Sequence, residues 1–288
     1  MNYEHIFLKM LRFYPKRFGS KVVGWIASCK LPVFLRAYLL GKFVKAYRIN
    51  MAEAEHPLVY YSSLRSLFSR RLKAGVRRQG AFVPGAINSP ADGELIAFGS
   101  ITSGLAIQAK GLPYRIEELL KHDLDAKRFD GGYYLTIYLS PKDYHHVHVP
   151  LFGNVKTVSR VEGELWPVNK VAATRMFRLY ERNRRVAWVA EGSDFDEGLE
   201  VAVVLVGATH VGKIIIDQRW LNGQHLPLDG ILSVAGQPCQ VGEDLGAFQF
   251  GSTVVLLIGG PKVKDWQIDV SEGEVLVGQR LGKFVSLK

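Results

Sequence analysis

From about residue 80 onward the chain is divided into short stretches rich in β-branched and aromatic residues, each closed off by Gly, Pro, Asp or Ser. They fall at 94–99, 104–109, 133–139, 185–190, 200–206, 212–216, 230–234 and 253–258. Such side chains fit a pleated, half-buried surface, and the intervening Gly and Pro end it. Only 115–121 (RIEELLK) and 168–177, after Pro167, carry a helical pattern. Strands in such close succession, without helices alternating between them, argue against a doubly wound parallel sheet. They predict an α+β, mainly β chain whose core is an antiparallel sandwich or partly closed barrel. With 48% hydrophobic residues the chain has material for a packed core, which excludes intrinsic disorder.

The first quarter has a different texture. Residues 1–78 hold 16 Lys and Arg against three acids (Glu4, Glu53 and Glu55), while the rest holds 21 bases and 24 acids. The formal net charge of +10 therefore resides in the opening segment. Apolar residues recur there at helical spacing in three stripes. These are Ile6, Phe7, Met10 and Leu11; then Phe18, Val22, Trp25, Ile26 and Cys29; then, after Pro32, Phe34, Leu35, Tyr38, Leu39 and Phe43. Packing on the globular domain is one use for such stripes. A solvated helix face, however, normally mixes both signs of charge, and the near absence of acids fits basic amphipathic helices lying in an anionic membrane interface. Nucleic acid is the weaker partner, because no helix-turn-helix or zinc-finger spacing accompanies the charge. Bases interrupt the apolar runs, which argues against a secretory signal, and no uncharged apolar run reaches the length of a membrane span. Cys29 and Cys239 make no disulfide framework, which suits a reducing compartment. Residues 65–78 read as a linker or domain entry, so the expected division is a basic membrane-association segment at 1–78 and a β-rich catalytic domain at 79–288.

Three places carry chemistry. The first is Asp92, in the turn Ser89-Pro90-Ala91-Asp92-Gly93, which taken alone is ordinary turn chemistry. The second is the run from Leu139 to Pro150, where His145, His146 and His148 fall within four positions. On a strand His146 and His148 share one face and His145 takes the other. The third is Gly251-Ser252-Thr253, directly before an apolar strand. An Asp, a His and a Ser can form a triad, but the serine lacks the G-x-S-x-G elbow of an α/β-hydrolase. An alternative is a zinc hydrolase with His146 and His148 as ligands and Asp92 or His210 as a third, although its expected His-x3-Asp partner is missing. A non-catalytic lipid-surface module is a further alternative, and it would leave all these residues idle.

In chain order, SPADG (89–93), IQAKG (107–111), YLSPKDYHHVHVP (138–150), GELWPVN (163–169), VGATHVG (206–212) and GEDLGAFQFGST (242–253) resemble the motifs of pyruvoyl-dependent phosphatidylserine decarboxylases of the bacterial and mitochondrial type. The resemblance covers nearly the whole chain. It departs at Phe250, where many members carry Leu, and at His146, positions whose side chains the chemistry does not require. The resemblance implies that the chain makes its own cofactor. Ser252 Oγ would attack the Gly251 carbonyl, with His148 as general base and Asp92 orienting it. The resulting ester eliminates to dehydroalanine, which hydrolyses to a pyruvoyl group and ammonia. The products would be a β chain of residues 1–251 and an α chain of residues 252–288. Phosphatidylserine would then form a Schiff base with the pyruvoyl group, lose carbon dioxide into this electron sink and leave as phosphatidylethanolamine.

His148 is the first candidate proton donor in that cycle and His145 the second, sharing one site only if the strand is interrupted between them. His146 is expected to be a surface bystander. Asn169, Lys110 and Tyr144 are weak candidates for gripping the headgroup. The implied partners are the substrate lipid in an anionic membrane, the two chains of one precursor and a second copy in a homodimer, with no resident metal and no nucleic acid. The expected location is peripheral, at the cytoplasmic face of a bacterial inner membrane.

Overall fold

A computed structural model of the protein describes residues 16–77, 85–108, 111–123, 126–193, 198–209, 214–249, 251–261 and 263–284. The stripe from Ile6 to Leu11, the boundary expected at 78/79, Lys110, His210 and Phe250 lie outside the described residues. The helices are α1 (Lys16–Ser28), α2 (Val33–Tyr47), α3 (Leu64–Phe68), α4 (Ile116–Leu120), α5 (Lys170–Ala173) and α6 (Leu179–Arg182). The strands are β1 (Ile87–Asn88), β2 (Gly93–Ser100), β3 (Leu105–Ile107), β4 (Pro113–Arg115), β5 (Tyr133–Leu139), β6 (His146–His148), β7 (Gly153–Val161) and β8 (Arg185–Gly192). They continue as β9 (Glu200–Val206), β10 (Ile214–Ile216), β11 (Gly230–Cys239), β12 (Asp244–Phe248), β13 (Ser252–Gly259), β14 (Trp266–Ile268), β15 (Gly273–Val275) and β16 (Arg280–Phe284).

One sheet of eight strands runs in the order β11, β7, β8, β9, β13, β5, β2, β15, with every neighbouring pair antiparallel. Three small sheets accompany it (β1–β16–β14, β10–β12–β6 and β3–β4), and none of the four closes into a barrel among the described residues. The α+β, mainly β expectation holds, without the barrel. Every residue of β9 and β13 is buried, which is why both read as unbroken apolar runs rather than alternating ones. β13 lies between β5 and β9, with Ser252 opposite Leu139 and Thr253 opposite both Tyr138 and Val206.

β7 is not foreshadowed by the sequence pattern. Its buried valines, Val155, Val158 and Val161, are three apart, a spacing that mimics a helix. A register shift between Val155 and Thr157 produces the first of these two steps. Conversely, the helix expected over 168–177 shrinks to the four residues of α5. Asn169 caps it by accepting from Ala172 N (2.9 Å). Beyond it the buried Gln108 takes over, donating from Nε2 to Ala173 O (2.6 Å) and Met176 O (2.7 Å) and accepting from Leu179 N (2.8 Å).

α1 and α2 fall on the second and third apolar stripes. A small core of Leu40, Tyr61 and Leu67, with Phe43, Val44 and Leu58 around it, ties α2 to the 58–68 region and is separate from the main core. Much of the remaining apolar surface faces outward: Trp25 is 70% exposed, Phe34 79% and Tyr38 59%. Ordinary surface helices turn that stripe inward. No described helix is long and apolar enough to cross a membrane.

Candidate active site

Ser252 opens β13 fully buried, and its Oγ has no hydrogen-bond partner. Gly251, just before it, lines a cavity of about 310 Å3. One side of that cavity is Val23 of α1, Phe43 and Tyr47 of α2 and Phe68 of α3; the other includes Tyr138, Pro167, Asn169 and Thr209. The 251–252 peptide thus sits where the apolar helices meet the sheet. A larger cavity, about 380 Å3 among Ser103, Arg115, Lys127 and Asp130, contains none of the candidate residues.

After β5 the chain folds into a compact turn, because Asp143 Oδ2 accepts from both Ser140 N and Ser140 Oγ at 2.7 Å. His145 follows the turn and precedes β6, so strand alternation does not fix where its ring points. The ring is wholly buried, edge-on to Phe68 with centroids 4.5 Å apart. A carbonyl can only accept, so His145 Nδ1 donates to Asp143 O (2.8 Å), and Nε2 is left bare and without a partner. Burial pushes the His145 pKa down to about 3, against the opposing pull of the Asp143 hydrogen bond.

His148 is anchored differently. Its Nδ1 donates to Gly242 O (2.8 Å), and its Nε2 accepts from the Tyr144 hydroxyl (3.2 Å), whose own pKa burial raises. Burial also lowers the His148 pKa, with the Gly242 bond and the charge of Asp244 acting in the other direction. Both imidazoles are therefore neutral at pH 7.

His146 is not the surface bystander the sequence suggests. It is buried at 7% exposure, stacks on Tyr144 (5.2 Å between centroids), and contacts Asp244 Oδ2 through Nδ1 (2.9 Å) and Ser69 O through Nε2 (3.3 Å). Arg71 completes the cluster, 3.0 Å from Asp244. With both ring nitrogens engaged, His146 offers no free ligand atom to a zinc ion. Among the described residues no group of three His, Cys, Asp or Glu is placed to hold a metal.

Asp92 is buried too, held by a fork from Arg77. Arg77 Nε donates to both carboxylate oxygens at 2.9 Å and Nη2 to Oδ2 at 2.5 Å, while Val277 N donates to Oδ1 at 2.8 Å. Glu53 steadies the fork from the far side, 2.9 Å from Arg77 Nη2. Glycine is required at 93, since a Cβ there would come within 2.5 Å of Tyr138 O. His148 N donates to Pro90 O (2.7 Å), so the turn and the histidine segment are neighbours. The hydrogen bond expected between Asp92 and His148 is nevertheless not made. The guanidinium of Arg77 takes the carboxylate and the Gly242 carbonyl takes the imidazole, so Asp92 acts on His148 as a nearby charge that favours its protonated form.

The region read as a linker or domain entry thus contributes to the site through Phe68, Ser69, Arg71 and Arg77. The one hint of this in the sequence is the balance of charge, a base-rich segment preceding a domain with more acids than bases. Of the other candidates, Asn169 spends its side chain on capping α5, and Tyr144 spends its hydroxyl on His148.

Residues 64–283 match the family described as phosphatidylserine decarboxylase. The chain is 35% identical to the phosphatidylserine decarboxylase proenzyme of Myxococcus xanthus, over 97% of this chain and 98% of that protein. It is 36% identical to the proenzyme of the same description from Ectopseudomonas mendocina, with the same coverage. With that of Brevibacillus brevis it shares 37% identity over 84% of this chain and 86% of the other.

Proposed function

The chain belongs to the phosphatidylserine decarboxylase family, and from that premise we propose how its own residues carry the reaction. The enzyme converts phosphatidylserine to phosphatidylethanolamine and carbon dioxide, and it is made as a proenzyme that is processed. The cut falls between Gly251 and Ser252 and leaves a pyruvoyl group at the front of residues 252–288. One observation carries this assignment: Ser252 Oγ is buried without a partner, beside a glycine that lines the cavity between helices and sheet. A buried hydroxyl left unpaired costs about 1–3 kcal/mol, so its retention fits a chemical use better than a packing one. A pyruvoyl group at that position supplies an electron sink for the pair left when carbon dioxide departs.

The residues divide the work. His148 takes the Ser252 proton at Nε2 once the Tyr144 hydroxyl gives way, and the Gly242 carbonyl keeps Nδ1 protonated throughout. Asp92, locked by Arg77, contributes negative charge beside the imidazolium that forms. Tyr138, Asn169 and Thr209 line the space the serine headgroup enters, and Val23, Phe43 and Tyr47 offer apolar wall to the lipid beyond it. Intact-mass measurement of the purified protein is expected to show two species, residues 1–251 and 252–288, with the shorter one carrying a keto cap. A single 32.2 kDa species that still releases carbon dioxide would remove the assignment.

The membrane role follows from the same cavity. Drawing acyl chains out of a bilayer costs ~0.8 kcal/mol per CH2, so the enzyme gains by docking on the bilayer instead. The outward faces of α1 and α2 and the basic surplus of 1–78 suit the anionic cytoplasmic leaflet of a bacterial inner membrane. The double variant Trp25→Glu/Phe34→Glu is expected to weaken sedimentation with phosphatidylserine-containing vesicles by at least about 100-fold, each aromatic being worth roughly 1.5–3 kcal/mol when buried. Cleavage of the proenzyme should continue. Undiminished vesicle binding would place the docking face elsewhere.

A further inference from the structure

Arg70 is buried at 3% exposure, although it carries a guanidinium. Its Nη2 donates to Lys142 O (2.8 Å) and to Asp143 O (3.1 Å), while Nε and Nη1 are buried with no partner at all. The guanidinium thus hydrogen-bonds two carbonyls of one turn, with the charges of Asp92, Asp143 and Glu53 acting on it without a hydrogen bond, and an unsatisfied buried donor is costly. An apolar side chain of similar length could fill the space without that penalty. What the guanidinium adds is a fixed direction for the Asp143 carbonyl.

That carbonyl is the acceptor of His145 Nδ1–H. A neutral imidazole has two tautomers of similar intrinsic stability, and the hydrogen bond at one nitrogen selects which is present. With Asp143 O aimed at Nδ1, the other tautomer would set two lone pairs against each other and bury an N–H at Nε2 with nothing to receive it. Phe68, two residues before Arg70, lies edge-on to the same ring. One short stretch of chain therefore sets both the plane of the ring and its protonated nitrogen.

We propose that Arg70 is a positioning residue for the decarboxylase reaction, clamping the Ser140–Asp143 turn so that His145 is held as the Nδ1–H tautomer with Nε2 bare. The kinetic part of this role rests on the assignment of His145 to the active site; the structural part does not. The test uses the full-length protein carrying Arg70→Met, which keeps the bulk, and Arg70→Lys, which keeps the charge but not the fork. Cleavage, kcat and KM are measured in mixed micelles, together with the 15N spectrum of the His145 ring, assigned through His145→Gln.

Both variants are expected to be cleaved. Each should show kcat lowered about 100-fold, the scale of a misplaced catalytic group, with KM little changed, and each should show His145 as a mixture of tautomers. In Arg70→Ala, added guanidinium ion is expected to restore part of kcat, whereas methylammonium at equal ionic strength is not. A His145 spectrum still showing only the Nδ1–H tautomer in Arg70→Met and Arg70→Lys would overturn the clamp. Loss of activity without rescue in Arg70→Ala, with that tautomer intact, would likewise reduce Arg70 to a packing residue. Full turnover by His145→Gln would instead remove His145 from the site while leaving the spectral result to judge the clamp.

Discussion

Replacing Ser252 with alanine is expected to leave the 288-residue chain in one piece and its decarboxylase activity at background. Two losses coincide in this variant, because the hydroxyl is both the nucleophile that breaks the peptide and, once it is the ester oxygen, the leaving group whose elimination gives the dehydroalanine that water converts to the keto group. The fold should not suffer. The Ser252 side chain is fully buried and its oxygen bonds to nothing, so its removal deletes an unsatisfied group rather than an interaction. A denaturing gel and a carbon dioxide release assay on the same preparation are sufficient. An uncut chain that turned over lipid at the wild-type rate would leave the mechanism without its reactive group.

The second large effect separates the two histidines. A group that removes a proton must tolerate the positive charge it acquires. Burial and His146 oppose that charge at both histidines, but His148 has Asp244 and Asp92 favouring it, whereas His145 is completely buried and has Arg70 opposing it as well. His148→Asn is therefore expected to slow cleavage by about 100-fold to 10,000-fold, the usual contribution of a general base, and to accumulate uncut chain. His145→Gln is expected to cleave normally and to lose turnover on lipid. Time courses of band conversion for the two variants decide between them, and the reverse pattern would exchange the roles.

The chemistry was legible where it is written in side chains that lie close together in sequence. The histidine run and the Gly-Ser step before an apolar strand need no tertiary knowledge to stand out. The strands most buried in the sheet, β9 and β13, were equally plain, since burial on both faces leaves unbroken apolar runs. β7 was hidden by its bulge, which spaces valines as a helix would. β6 was hidden by its three-residue length. Arg70 and Arg77 were invisible for another reason: their partners lie on the 142–143 carbonyls and on Asp92, and nothing local distinguishes a clamp from a solvated basic run. The Gly242 carbonyl that anchors His148 was hidden as well, because carbonyls leave no mark in a sequence.

β13 begins at the proposed cut and is flanked by seven register pairs on each side, with β5 and with β9. On this proposal the maturing molecule loses a covalent bond at the edge of a fully inserted central strand, while hydrogen bonds and packing keep the severed piece in place. Once heat or denaturant pulls that strand out, however, nothing tethers it, and its ketone terminus cannot be rejoined to the glycine it left. Thermal inactivation of the mature form should accordingly be a one-way event with a scan-rate-dependent midpoint, even where the uncut precursor refolds.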